Sequence, residues 1–407
     1  MSLKEHEIVV VGGGPAGLLS AKASAELGKD VLLLESKDKI GQYEHCAGLL
    51  SLEGLSKLGL ANLPKDVVQN NSITGARLYS PSGKMIDVSK NSTTACVVDR
   101  AKFNMHLSAL AEKKGVKIHT SSKVKSISRK EDSLILKLGK QKSFSSLISR
   151  IVILAEGRFP SLNQQLGLSV PPRDKIVFTS MYIMSGVDDI NPKLVELYQA
   201  KKYAPGFFSW IIPIDETSAK VGLGSRYRPA FEYLDDFIKK HPVAKGKLEN
   251  AKVEQRMSGA IPLGAFIRKT YTKGALVIGD AASQTKPTTG GGVILGGIAA
   301  QIAGKVASEA IEENDVSAKF LSKYEKYWRK ELKRNLTMMK HVRFYLDSLS
   351  NKEVETLFSL VEDPKINDLI SEFGDVDNQK AIIYRMIFQF KLWPFLIRTG
   401  LKYLFKK

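Results

Sequence analysis

Apolar positions along this chain change their period several times, and each change marks an element. Residues 6–11 run into an unbroken apolar stretch, the pattern of a strand buried on both faces. Ala16 to Leu27 has helical spacing closed by Gly28, and "DVLLLE" is a second buried strand. Beyond residue 50 the pattern mixes. "GARLYSP" and "KMIDVS" predict a hairpin turning at "PSG", and "TACVVDRAKFNMHLSALAEKKGVKIHT" predicts strand, helix and strand. "SKVKSISR" and "SLILKLG" form a meander, and "RIVILAEG" is another buried parallel strand. Residues 175–227 and 251–262 are strand-rich. "GALVIGDAASQTKPTTGGGVILGGIAAQIAGKVASEAI" is a strand followed by a long helix, and from about 316 onward the chain is helical, polar and basic.

Within the strand-rich part, "FFSWIIPIDETSAKVGLG" (207–224) puts Phe208, Trp210 and Ile212 on one face of a strand. Pro213 cannot donate to a ladder, so the strand ends there or lies at an edge. "SAKVGLG" is the returning strand, whose glycines let another group approach its backbone. Taken alone, the stretch reads as a core hairpin of a mixed sheet.

At 407 residues the chain can bury a large core in two or three domains. No repeat or low-complexity linker separates them, so they interleave. Two cysteines, Cys46 and Cys96, make no disulfide framework. No run of eighteen apolar residues free of charge predicts a membrane span. The start, "MSLKEHEIVVVGGG", is acidic and enters a turn directly, unlike a signal peptide. These features predict a cytoplasmic protein. The net charge of +19 favours anionic partners. Lys and Arg are spread along the chain without a nucleic-acid motif, so nucleic acid is not expected. Anionic lipid or a phosphorylated substrate fits better, beside the alternative of a basic surface kept for solubility.

The chemistry begins at Gly12-x-Gly14-x-x-Gly17, between a strand and a helix. Gly12 permits the turn, Gly14 lets backbone approach a pyrophosphate, and Gly17 lets helix and strand pack closely. Pro15 and Ala16 open the helix, whose N-terminal N–H groups and dipole favour phosphate. Glu35, followed by Ser36, ends the second strand 18 residues beyond Gly17, where a carboxylate can accept from a ribose. A dinucleotide site follows.

"IGDAA" (278–282) resembles the second FAD signature of glutathione-reductase-type flavoproteins, which implies that Gly279 and Asp280 hold the ribityl chain. "VVDRAKFNMHL" resembles their Asp-Arg element and implies Arg100 near the FAD phosphates. "AEGRFPSL" resembles their Asp-Gly element, with Glu156 for aspartate and Gly157 in place. Val124 falls where such proteins send backbone to the adenine. The resemblance implies FAD and a Rossmann-type α/β domain of glutathione-reductase class over 1–70, 95–160 and 265–315. A mixed, largely antiparallel substrate-binding sheet domain is expected over 71–94 and 161–264, and a helical C-terminal region over 316–407.

Residues 208–224 resemble the Tyr-x-Trp-x-Phe-Pro…Gly-x-Gly signature of the geranylgeranyl reductase family at Trp210, Pro213, Gly222 and Gly224, with Phe208 for tyrosine and Ile212 for phenylalanine. "HCAGLL" resembles that family's Cys-x-Gly element over the flavin (Cys46, Ala47, Gly48). "PTTGGGV" resembles its glycine segment at the isoalloxazine (Pro287, Gly290, Gly291, Gly292, Val293). The resemblance implies reduction of isoprenoid double bonds, by hydride from reduced flavin N5 and a proton to the other carbon, on archaeal-type ether lipids, a quinone tail or geranylgeranyl diphosphate. Phe208 and Trp210 would wall an apolar tunnel, neighbouring glycines would admit the flavin edge, and Cys46 would donate a proton or position substrate. Cys46 as a small buried hydrophobe is the plainer alternative. The Phe-x-Trp-x-Ile-Pro segment also resembles flavin-dependent halogenases, and prenyl-binding escort proteins share a related fold without flavin chemistry. No second glycine fingerprint appears, so electrons come from an external donor: NAD(P)H bound transiently, ferredoxin or another carrier. No metal site is expected.

The segment 380–407 carries seven basic residues and no acidic one. In a helix, Lys391, Arg398, Lys402 and Lys406 would share a face, with Phe395, Leu396, Leu401, Leu404 and Phe405 offering apolar surface. Such a helix either lies peripherally on the cytoplasmic face of a membrane or packs on the core.

Overall fold

The computed structural model describes residues 4–42, 45–139, 145–227, 230–264, 266–374, 377 and 379–405, with the side chains of 373 and 401–405 left aside. The chain forms two compact units, each assembled from three segments: 1–44, 100–175 and 262–336 in the first, and 45–99, 176–261 and 337–407 in the second. The interleaving expected from sequence takes this form, with cuts that differ from the ranges given above. The helical C-terminal region is shared: residues 318–336 of the helix Ala318–Ser348 belong to the first unit and its remainder to the second.

The first unit is built on an eight-stranded sheet. Lys117–His119, Val31–Leu34, Lys4–Val11, Ser146–Leu154 and Ala275–Val277 lie side by side and parallel. Val9 stands opposite both Leu32 and Val152, so the centre of the sheet is wholly apolar. The hairpin Val124–Lys130/Ser133–Leu138 hangs antiparallel on Ser146–Leu154. Helix Pro15–Ala25 packs against helix Val293–Glu312: a Cβ on Gly304 would lie 2.6 Å from the Ser20 carbonyl oxygen, an approach that only glycine allows. Val293–Glu312 is long and apolar enough to cross a membrane, yet 72% of its most apolar window is buried. It is a core helix, which the expectation of no span from apolar runs did not single out.

The second unit holds a seven-stranded mixed sheet in the order Lys252–Pro262, Ile176–Ser185, Ser218–Ser225, Ser209–Pro213, Leu194–Tyr198, Gly75–Tyr79 and Met85–Ser89. The aromatic strand and its glycine-bearing return form the expected hairpin at the middle of this sheet, so Pro213 closes the strand rather than marking an edge. The predicted hairpin around "PSG" is present at the far edge. A small sheet of Leu49–Ser51, Ala95–Val98 and Val68–Ile73 completes the unit. Cys96 is buried there with its thiol pushed up to about 11 by burial, and both cysteines are free.

Candidate functional site

In the first unit the glycine fingerprint closes a tight turn. Gly12 has φ +113°, and a Cβ on it would stand 2.2 Å from the Ala155 carbonyl oxygen. A Cβ on Gly17 would stand 1.9 Å from the Gly12 carbonyl oxygen, so helix and strand touch by backbone. Gly14 differs: a Cβ there would meet nothing within 4 Å. Gly14 caps helix Pro15–Ala25 without any side-chain cap, which leaves the first-turn N–H groups available to an anion.

Glu35 is 9% exposed. Its Oε2 accepts from the Gly13 N–H at 2.6 Å, while Oε1 accepts from the Lys37 N–H at 2.8 Å and from Ser36 Oγ at 3.1 Å. The carboxylate therefore fixes the glycine turn itself, a task that the ribose reading had not foreseen. The Ser122 N–H donates to the Glu35 carbonyl at 2.6 Å, which draws the start of the Val124 strand to the same place. Glu156 spends its extra methylene in another way: its carboxylate accepts from the N–H groups of Ser161 and Leu162 and caps the short helix Leu162–Gln165. Gly157 beside it has φ +79°.

The second glycine element meets the first. A Cβ on Gly279 would lie 3.0 Å from Ala16 Cβ, and one on Gly296 would lie 3.3 Å from Gly279 Cα. The Asp280 carboxylate stands 3.0 Å from where a Gly292 Cβ would be, at the start of Val293–Glu312. The loop before that helix is tied by Gly290 N–H to Lys286 O at 2.8 Å and Lys286 N–H to Gly291 O at 3.0 Å. Next to these glycines and Pro287, the hydroxyls of Thr288 and Thr289 are buried with no hydrogen-bond partner among the described residues. Two uncapped helix N-termini, a cradle lacking Cβ atoms and two buried hydroxyls awaiting partners fit a dinucleotide with a polar ring edge. Arg100 opens helix Arg100–Glu112, buried, with its guanidinium 5.2 Å from the Phe103 ring centre. The backbone of Gly41 runs against Ala101 beside it. All of these residues lie in the first unit.

The remaining candidates belong to the second unit. Phe208 and Trp210 are buried and meet edge to face at 6.0 Å. Phe207, which sequence reading passed over, stacks on Phe208 at 4.2 Å. The Gly-x-Gly of the return strand is occupied by these rings. A Cβ on Gly222 would lie 2.6 Å from Trp210 Cζ2, and one on Gly224 would lie 2.5 Å from Phe207 Cδ1. The glycines expected to admit a flavin edge admit the hairpin's own aromatic side chains instead. Trp210 Nε1 is buried without a partner among the described residues.

Two further groups were missed. Arg343, 5% exposed, donates from Nη2 to Gly206 O at 2.6 Å, lies 4.8 Å over the Phe207 ring and pairs with Asp347, which also pairs with Arg226. No local pattern announces it. Lys220, 3% exposed, donates to the carbonyls of Ala47 and Val98 at 2.9 Å each. Its signal was legible: a lysine set between Ala219 and Val221 in an otherwise apolar or small-residue strand. Cys46 is exposed, and Gly48 has φ +76°.

In the tail, helices Lys380–Ile387 and Trp393–Phe405 flank a short turn. Leu392 is buried with Phe358, Val361 and Ile366, and Leu396 packs on that cluster. Phe395 is 4% exposed. Phe395 and Leu396 therefore face inward rather than offering the expected apolar surface, and the side chains of Leu401, Leu404 and Phe405 lie outside the described residues. Among the described residues of the tail, the large exposed apolar side chains are Tyr384, Ile387, Phe388, Phe390, Trp393 and Ile397. Of the expected basic face, Lys391 is paired with Asp363 and Arg398 is exposed. The Lys402 side chain and Lys406 lie outside the described residues.

Residues 5–325 match the FAD-binding-domain family. Over 360 residues the chain is 35% identical to a digeranylgeranylglycerophospholipid reductase of Methanocaldococcus jannaschii, covering 86% of this chain and 89% of that one. It is 31% identical to the protein of the same name from Methanosarcina acetivorans, over 89% and 90%. A geranylgeranyl bacteriochlorophyll reductase-like protein from Thermoplasma acidophilum superimposes with a TM-score of 0.86 at 26% identity, covering 98% of this chain and all of that one. A flavin-dependent brominase matches at a TM-score of 0.71 and 19% identity over 94% and 98%, a likeness of fold. FAD is the cofactor of this chain, which belongs to the digeranylgeranylglycerophospholipid reductase family of FAD-binding proteins.

Proposed function

We propose that this chain saturates isoprenoid double bonds in geranylgeranyl ether lipids of the archaeal type. The relationship across 86% of the chain to a reductase named for that lipid carries the reading. Reduced FAD supplies the hydride when bound. Gly12, Gly14, Gly17, Glu35, Arg100, Gly157, Asp280 and the Gly290–Val293 segment bind it, and Cys46, Ala47 and Gly48 contact its ring. Phe208 and Trp210 give a polyene rigid apolar contact and keep water from it, which suits an alkene with no polar handle. Cys46 is the group assigned to proton delivery or substrate positioning, and its exposed thiol supports that choice. Electrons come from an external carrier. A bilayer-borne substrate also calls for peripheral membrane contact, read here at residues 380–407 on the cytoplasmic face and supported by the exposed aromatic turn.

The halogenase reading rests on the short Phe-x-Trp-x-Ile-Pro resemblance and on likeness of fold, at 19% identity to the brominase against 35% to the reductase. The test is direct: dithionite-reduced protein with a digeranylgeranyl glycerophospholipid should add mass in steps of about two daltons, one hydride and one proton per double bond. Unchanged lipid mass with re-oxidised flavin would refute the assignment.

A further inference from the structure

The strand Ser218–Ser225 carries small or apolar side chains except at Lys220, whose ammonium is drawn inside the second unit. It reaches two backbone carbonyls. Residues 45–48 are irregular backbone before the strand Leu49–Ser51, and the Ala47 carbonyl accepts from Lys220 Nζ at 2.9 Å. The same ammonium serves Val98 O at 2.9 Å, while the Val98 N–H donates to Gly48 O at 2.9 Å. A Cβ on Gly48 would stand 2.3 Å from Val98 O and 3.1 Å from Lys220 Nζ. At the other end, a Cβ on Gly259 would stand 3.3 Å from His45 Cβ. The segment is therefore closely approached by other chain at both ends and tied by an ammonium at its middle.

A buried ammonium is costly unless its hydrogen bonds are satisfied, and an apolar residue here would avoid that cost. What lysine adds is reach and multiple donors: four methylenes carry an NH3 group from the sheet to two carbonyls at once. We propose that Lys220 is a positioning residue for the reaction, holding Cys46, Ala47 and Gly48 in their working conformation. The inference rests on the reading above that these three residues contact the flavin.

Lys220→Met and Lys220→Arg, purified with FAD, test it. In Lys220→Met, FAD content stays at the parental level and amide exchange in a peptide covering 45–50 quickens about tenfold or more. kcat for lipid reduction falls about tenfold with KM little changed, and Lys220→Arg recovers both. Parental exchange in Lys220→Met, or faster exchange with parental kcat, would overturn the proposal. Equal exchange of that peptide in FAD-loaded and FAD-stripped parent would overturn the flavin contact of residues 46–48 instead, so the two failures differ. Should Lys220→Met not fold, Lys220→Gln, which keeps a donor but loses reach and charge, is read in the same way.

Discussion

At the scale of single residues, two glycines do opposite work. A methyl at Gly14 meets no protein atom within 4 Å and Gly14 has φ −76°, which alanine adopts freely. Gly14→Ala should therefore melt like the parent when free of FAD yet hold FAD roughly tenfold more weakly, about 1.4 kcal/mol, because the methyl occupies the pyrophosphate's approach. At Gly222 a methyl meets the Trp210 ring at 2.6 Å and the Ser180 carbonyl at 2.8 Å. Gly222→Ala should cost about 1–3 kcal/mol of stability by overpacking and perturb Trp210 fluorescence, with FAD retained. Melting and FAD titration of both variants check the contrast, and matching behaviour would show that one glycine is misread. His241 gives a third residue-scale test. It is fully buried, its Nδ1 accepts from the N–H groups of Val243 and Ala244, and the rings of Tyr198, Tyr203 and Phe237 enclose it. Burial pushes it down from 6.5 to about 4. Below 6.5 the unfolded chain takes up a proton that the folded chain refuses, so stability present above 6.5 is lost as pH falls towards 4, about 3 kcal/mol in all. His241→Asn keeps the acceptor without the titration. Its urea midpoint should be lower at neutral pH but fall less across that window.

Elements were legible in the sequence wherever one local rule decided them. The apolar run through Ile8–Val11, the glycine turn and the spacing of Leu18, Leu19 and Ala23 fix strand, turn and helix without distant help, and the hairpin ending at Pro213 follows from alternation and a missing donor. What escaped depends on partners far along the chain. Which ring fills Gly222 or Gly224 follows from the register Trp210↔Gly222, not from composition. Arg343 reaches the aromatic segment from 137 residues away, on a helix whose basic residues otherwise look like solvated surface. Glu35 and Glu156 were read as ligand contacts because a carboxylate at a strand end commonly serves a ribose. Each also accepts from nearby N–H groups, Glu35 from Gly13 and Glu156 from Ser161 and Leu162, a second task that only coordinates reveal.

For the whole molecule, the charge of +19 and the tail bear on the membrane contact proposed above, by electrostatic adhesion or by apolar insertion. The expected basic face is weakened, since Lys391 is engaged by Asp363. The apolar turn is strengthened, with Phe388 70% and Phe390 75% exposed, Phe390 against Trp393 at 4.9 Å, and the indole N–H tied to Ile387 O at 2.8 Å. A tail anchored by Leu392 and Phe395 presents these rings without unfolding. Insertion of each phenyl ring would contribute roughly 1.5–3 kcal/mol, against on the order of 1 kcal/mol for each nearby Lys or Arg. Phe388→Ser with Phe390→Ser should therefore reduce binding to phosphatidylglycerol vesicles sharply at low and at high salt, with parental melting and parental turnover of detergent-dispersed lipid. Adhesion by charge alone predicts otherwise: the double variant would bind like the parent, and 0.5 M salt, which shortens the Debye length to about 4 Å, would release both. Sedimentation with vesicles at two salt concentrations separates the cases, and parental binding by the double variant would remove the aromatic turn from the membrane contact.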